Sequence, residues 1–199
     1  MVNWQRQSAL QDLHKNGEAA VMEDTELCIR ELPFSGKLIL QAGGNHEAIQ
    51  SAVSRAVGQC LPLVPNTCTT STKTILWMKP GKWMILCEPE AIPQIRQKLE
   101  ATLTDIHFMI TDASDSRTGI EVRGVHARSL MSRVCALDLD ASSFLPGQCA
   151  QTLLVRIPLL LHQHDDLPTF HLYVDRSVSR YAWEWLSDEA NEFISGDVR

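Results

Sequence analysis

The stretch Phe108–Leu161, FMITDASDSRTGIEVRGVHARSLMSRVCALDLDASSFLPGQCAQTLLVRIPLLL, decides the fold of this chain. Ile120 and Val122 alternate with Glu121 and Arg123, the period of a half-buried strand, and Gly124 ends it. Ala127, Leu130, Met131 and Val134 then recur at helical spacing, with Arg128 and Arg133 set between them. After a loop marked by Pro146-Gly147, an apolar strand is predicted from Thr152 to Arg156, and the chain doubles back near Ile157. Strand, short helix, long loop and strand pair make a packing module. No nucleophile, carboxylate pair or phosphate loop interrupts it.

Upstream, Lys37–Ala42 is predicted as a strand, Gly43-Gly44 as a turn and Asn45 as a helix cap. Ala48, Ile49, Ala52, Val53, Ala56 and Val57 form the apolar stripe of a helix that Gly58 stops. The glycine pair has neither the GxGxxG spacing nor that of a Walker loop, so it reads as a plain turn. Two prolines hold Leu61–Asn66 extended. Lys73–Met78 and Trp83–Cys87 flank Lys79-Pro80-Gly81-Lys82, where Pro-Gly suits a type II turn, so a hairpin is expected. Pro89 opens a helix with Ile92, Ile95, Leu99 and Leu103 on one face, and a strand follows from His107 to Thr111. Residues 37–112 thus read β-α-β-β-α-β, the order of a ferredoxin-like unit.

Downstream, Thr118–Arg123, His126–Val134 and Thr152–Arg156 repeat strand, helix and strand. Pro158 is expected to confine the strand Ile157–His162 to an edge or a bulge. Phe170, Leu172 and Val174 alternate in a last strand, and Ser177 is expected to cap a closing helix with Val178, Tyr181, Ala182, Trp185 and Leu186 inward. At the other end, Ser8–His14 suits a short helix, which Gly17 and the acidic Glu23-Asp24-Glu26 break off. Cys28, Ile29, Leu32 and Phe34 then read as an arm over its own core or over a partner. The fold class is therefore α+β. An N-terminal arm (1–36) precedes one compact domain (37–187) of two related ferredoxin-like halves (37–112 and 113–187), and an acidic tail (188–199) follows.

The chain has 199 residues, enough for a sizeable core, and 44% apolar with 21% charged residues is ordinary for a globular protein. A net charge of -6 argues against nucleic acid, whose phosphates need clustered Lys and Arg. Polar residues interrupt the N-terminal segment, so no secretory leader is expected, and Ile157–Leu161 is too short to cross a bilayer. The six cysteines make no CxxC pair, which fits reduced thiols in a cytoplasmic protein.

Candidate chemistry is sparse. His162 and His164 share one face of a strand and His171 lies beyond the next turn; zinc sites can be built this way, but the pattern has no required spacing or evident second shell and reads as the wet side of an antiparallel pair. Asp112, Asp115, Arg117 and His126 gather at the start of the second half, where turn capping and ion pairing are expected, since nothing fixes the geometry that acid–base work needs. Ser114, Ser116, Ser129 and Ser132 lack a nucleophile elbow. Cys149 has no evident His or Lys to lower its pKa and reads as a buried thiol. No catalytic, cofactor-binding or metal residue is assigned. Candidates for a partner interface are Trp77, Trp83, Arg176, Arg180 and Trp183, the last because Trp185 already occupies the inner stripe.

Four ordered stretches resemble one family: LPLVPNTCT (Leu61–Thr69), LWMKPGKWMILCEP (Leu76–Pro89), Thr111–Leu154 and FHLYVDRSVSRYAWEWL (Phe170–Leu186). They are similar to the gamma subunit of heterotetrameric sarcosine oxidase, which in turn resembles the folate-binding portion of glycine-cleavage aminomethyltransferases. The resemblance implies a small structural subunit without catalytic residues of its own. Alpha, beta and small delta subunits are the implied partners, and FAD/FMN, NAD and tetrahydrofolate are expected in them and not in this chain. The implied assembly converts sarcosine to glycine, with hydrogen peroxide and either formaldehyde or 5,10-methylenetetrahydrofolate. Residues 1–35 and 188–199 lie outside the resemblance. The competing reading is a stand-alone folate-binding protein or shortened aminomethyltransferase-like enzyme.

Overall fold

Alternating and helical apolar patterns resolve into two sheets, each backed by two helices, in a computed structural model that describes residues 7–14, 21–23 and 26–194. The strands are β1 (Val21–Glu23), β2 (Cys28–Glu31), β3 (Gly36–Gly43), β4 (Cys68–Thr70), β5 (Thr74–Lys79), β6 (Lys82–Cys87), β7 (His107–Asp112), β8 (Arg117–Arg123), β9 (Cys149–Leu154), β10 (Ile157–Asp165) and β11 (Thr169–Asp175). The helices are α1 (His46–Val57), α2 (Ile92–Thr102), α3 (Ala127–Val134) and α4 (Ser179–Ile194). One sheet has the order β4-β5-β6-β3-β7 and the other β1-β2-β8-β11-β10-β9.

Local signals act as expected in the first half. The Asn45 side chain accepts from the amides of Glu47 and Ala48, and Gly58 closes α1 at φ 77°. Gly81 takes φ 70° in the β5–β6 turn, as a type II turn requires. β3 lies between β6 and β7, which gives β3-α1-β5-β6-α2-β7 the ferredoxin-like order.

The second half repeats this order with its fourth strand drawn from elsewhere. It runs β8-α3-β10-β11-α4, and β2 lies beside β8 as β7 lies beside β3. Residues 28–31 are thus a strand of the second half rather than an arm, because Leu27 and Ile29 are fully buried and their backbone completes the sheet. β9 stands at the edge, as β4 does in the first half.

The layers run helices, sheet, sheet, helices. Leu38, Leu40, Trp83 and Ile85 meet α1 and α2 through Ile49, Val53, Ile95 and Leu99. Ile120, Val122, Leu161, Phe170 and Leu172 meet α3 and α4 through Leu130, Met131 and Leu186. Between the sheets lie Leu76, Met78, Met84, Leu86, Leu160 and Tyr173. Backbone bonds sew the edges together, Cys68 N to Gly147 O (2.8 Å) and Cys149 N to Asn66 O (2.9 Å).

Further expectations are corrected. β10 is interior, between β9 and β11, despite Pro158. The proline is tolerated because it is the second residue of the strand and pairing to β11 begins only at Leu159. The predicted strand Thr152–Arg156 ends instead at Leu154, and Val155 turns the chain at φ 55°. The closing helix is not capped by Ser177: a 3-10 turn, Arg176–Val178, precedes α4. Its inward residues are Ala182, Trp183, Leu186 and Ala190, while Tyr181 and Trp185 are 41% and 37% exposed. Ala190 is buried and Phe193 packs on the same core, so helix replaces the expected tail as far as Ile194. The break at Gly17 and the terminal charges Asp197 and Arg199 lie outside the described residues.

Candidate functional site

β10 and β11 place three histidines where the edges of the two sheets meet. His162 is opposite His171 across β10–β11 and opposite Cys149 across β9–β10. On β10, Leu159 and Leu161 pack toward the helices and Leu160 toward the other sheet, so His162 continues the inter-sheet row. That row is not a wet face: His162 is only 1% exposed, because the second sheet covers it. One ring nitrogen from each of His162, His164 and His171 lies within 4.8 Å of the other two. The rings of His164 and His171 stack at 4.8 Å, with the His164 side exposed to solvent.

His162 and the half-buried His171 each have one committed nitrogen. His162 Nε2 lies 3.3 Å from Cys68 Sγ of the other sheet, and its Nδ1 is buried with no hydrogen-bond partner. His171 Nε2 lies 3.2 Å from Glu121 Oε2. Glu121 is itself buried, and Arg30 Nη2 donates to Oε2 at 3.0 Å. Burial acts to raise the Glu121 carboxyl, but the hydrogen bond and charge of Arg30, helped by His171, hold it below the usual range. Burial, then repulsion from His171 and His164, pushes His162 down to about 3. Burial likewise lowers His171, with His164 adding and Glu121 opposing. Both rings are therefore neutral near pH 7.

The remaining candidates do not converge. Asp112 Oδ1 accepts from the amide (3.0 Å) and hydroxyl (2.5 Å) of Ser114, whose Oγ accepts from Lys37 N (2.9 Å). Arg117 pairs with Asp175 at 3.5 Å, and His126 Nε2 sits 2.7 Å from Glu26. Ser116 donates to Ala113 O and Ser132 to Arg128 O, turn and helix duties, while Ser129 is exposed. Burial first, then the Cys68 sulfur, pushes the Cys149 thiol up to about 12, and it donates to Thr67 O and Trp77 O. A His162 neighbour that strand pairing supplies does not activate it.

Two of the five interface candidates are core residues. Trp83 is 1% exposed and its Nε1 donates to Pro62 O at 2.8 Å; Trp183 is 8% exposed among the α3–α4 contacts. Both are occupied inside the chain. Trp77, opposite Trp83, is half-buried. Arg180 is exposed and pairs within its own helix with Glu184 at 3.0 Å. Arg176 donates to Gln7 O and, with Asp12, Asp115, Ser116 and Asp175, lines an open depression of about 840 Å³.

Sequence reasoning passed over Arg30, Glu121 and Cys68. Glu121 alternates with Ile120 and Val122, which is also the signature of a strand with one solvated face. Only the covering sheet makes that position interior.

The chain is 24% identical over 188 residues to sarcosine oxidase subunit gamma of Corynebacterium sp. (strain U-96), covering 90% of each chain. It is 26% identical to the same-named subunit of Corynebacterium sp. (strain P-1), covering 87% of this chain and 79% of that one. Its fold superposes on a chain of the heterotetrameric sarcosine oxidase from Corynebacterium sp. U-96 in complex with pyrrole 2-carboxylate (TM-score 0.82, 24% identity, 94% and 96% covered). It also superposes on glycine cleavage system aminomethyltransferase T from Bartonella henselae (TM-score 0.63, 11% identity), covering 89% of this chain and 56% of that one. Among the described residues no helix is long and apolar enough to cross a membrane. The superpositions cover both ferredoxin-like halves of this chain, 94% and 89% of its length. The sequence model of the sarcosine oxidase gamma subunit family matches residues 42–192, and the chain belongs to that family.

Proposed function

We propose that this chain is the small, non-catalytic gamma subunit of a heterotetrameric oxidase that demethylates sarcosine. The family match over residues 42–192 carries the reading. Its partners are the alpha, beta and small delta subunits of that oxidase, and FAD/FMN, NAD and tetrahydrofolate belong to them. The assembly releases glycine and hydrogen peroxide, with the one-carbon unit leaving as formaldehyde or as 5,10-methylenetetrahydrofolate. It works in the cytoplasm.

The packing supports a structural role. Each sheet has one face against its helices and the other against the opposite sheet, so binding falls to the outer surface. On α4 that surface holds Tyr181 and Trp185, ring centroids 6.2 Å apart, beside Arg180. Aromatic and arginine side chains are favoured interface anchors. Tyr181 and Trp185, with Arg180, Arg176 and Trp77, take the interface role for which Trp83 and Trp183 are too buried.

Co-expression with the cognate alpha subunit tests the proposal. A complex that survives gel filtration is expected, and clean separation at micromolar concentration overturns it. Calorimetry of the isolated chain with tetrahydrofolate separates the rival reading: heat of binding would favour a stand-alone folate protein.

A further inference from the structure

We propose that His162, His164 and His171 form a three-nitrogen site for a first-row divalent transition ion, zinc foremost. The histidines are the one group of at least three potential ligand side chains drawn together among the described residues. Two independent observations point the site at a ligand. His162 Nδ1 is a polar atom sealed from water with no partner, on a side chain 1% exposed, and a buried orphan nitrogen is costly unless something binds it. On the buried His162 and the half-buried His171 one nitrogen is already held from outside, Nε2 of His162 by Cys68 Sγ and Nε2 of His171 by Glu121 Oε2. A carboxylate behind a histidine is the usual outer support of a metal ligand, fixing which nitrogen faces the ion. Arg30 holds Glu121 in turn.

The chemistry selects the ion class. Three imidazoles with no carboxylate among them suit zinc and its neighbours and not magnesium or calcium, which take oxygen. Tetrahedral Zn–N bonds of about 2.0–2.1 Å set ligand nitrogens about 3.4 Å apart. The nitrogens here lie within 4.8 Å, so binding draws them inward by an ångström or so. The exposed His164 supplies that movement, turning from its stack on His171 toward the ion. Its exposure also leaves the fourth position open to water. The ion would clamp β10 to β11 where both abut the other sheet, which is a use distinct from subunit assembly.

Titration of the full-length, chelator-stripped chain with Co²⁺, followed by visible d–d absorption and then displaced by Zn²⁺, reads the site directly. One Co²⁺ per chain is expected, with magnesium unable to compete. His164→Ala and His171→Ala should each weaken binding by more than about 100-fold, and Glu121→Gln by about 10-fold as an outer support. His46→Ala, on the distant α1, should leave it unchanged. His164 is exposed, so its variant folds whatever the buried pair does. Absence of a d–d band at 1:1 addition, or binding by the His164→Ala or His171→Ala variant as tight as by the parent chain, overturns the site. Neither outcome touches the assembly test above, which needs no metal.

Discussion

Arg30 of β2 and Glu121 of β8 face each other across the strand pair that ties the N-terminal segment to the second half. Nη2 donates to Oε2 at 3.0 Å, and Nε makes an ion-pair contact of 2.7 Å with Oε1 off the line of its own N–H. Arg123 Nε adds a third positive contact at 3.6 Å. The carboxylate is almost sealed, while Arg30 is 42% exposed, so the pair belongs between buried and surface ion pairs.

Removing only the cation should therefore cost more than removing both charges. Arg30→Met is expected to lower stability by about 2 kcal/mol in urea unfolding, because it strands a buried charge. Arg30→Met with Glu121→Gln should recover part of that loss. Strictly additive losses in the double-mutant cycle would remove the coupling and, with it, this account of how β2 is held.

What the sequence disclosed follows the range of the forces involved. The caps at Asn45 and Gly58, the turn at Gly81 and the apolar stripes of α1 and α3 are local, and each was legible from neighbours within a few residues. The fourth strand of the second half was not, because β2 pairs with β8 across 91 residues between Arg30 and Glu121, and no local pattern encodes that partner. The phase of α4 was lost for a subtler reason: Ala182 and Leu186 face inward as expected, but the buried stripe leans toward Trp183 and Ala190 and not toward Tyr181 and Trp185, which exchanges the two tryptophans. For the candidate site, the three histidines were visible as a cluster, but their burial depends on the second sheet and could not be read from β10 and β11 alone.

That exchange of tryptophans separates stability from assembly. Trp183→Ala removes a core side chain and should cost about 3 kcal/mol or more. Trp185→Ala lies on the outer face and should change stability by less than about 1 kcal/mol while reducing the yield of complex on co-expression. Urea melts and gel filtration of the two variants check this. A Trp185→Ala chain that assembles like the parent would exclude the outer face of α4 as a contact.

Thiol chemistry should follow burial. Cys60 is exposed, while Cys28, Cys135 and Cys149 are buried. With its pKa near 12, Cys149 carries about one thiolate in 10,000 at pH 8. Iodoacetamide at pH 8, followed by peptide mass spectrometry, is expected to label Cys60 first and Cys149 only after denaturation. Labelling of Cys149 at the rate of Cys60 in the folded chain would show that the sheet edges open.

The buried His162, with His171 beside it, should also make the metal-free chain acid-sensitive well above the range where carboxylates titrate. His162 has a pKa near 3 when folded and about 6.5 when unfolded, so between these values the unfolded chain binds a proton that the folded chain refuses. Stability therefore falls as pH falls, starting near 6.5, and is fully present above it. His171, also lowered, acts in the same direction, and the titratable groups facing the pair are His164 on β10, Cys68 on β4 and Glu121, with Arg30 behind it. Between pH 7.5 and 5.0, His162 alone should account for a loss of about 2 kcal/mol in urea unfolding with chelator present. His162→Leu removes the titrating ring and should flatten the profile by that amount over the same interval. An unchanged slope in this variant would mean that protons reach His162 in the folded chain, and that the second sheet does not seal it.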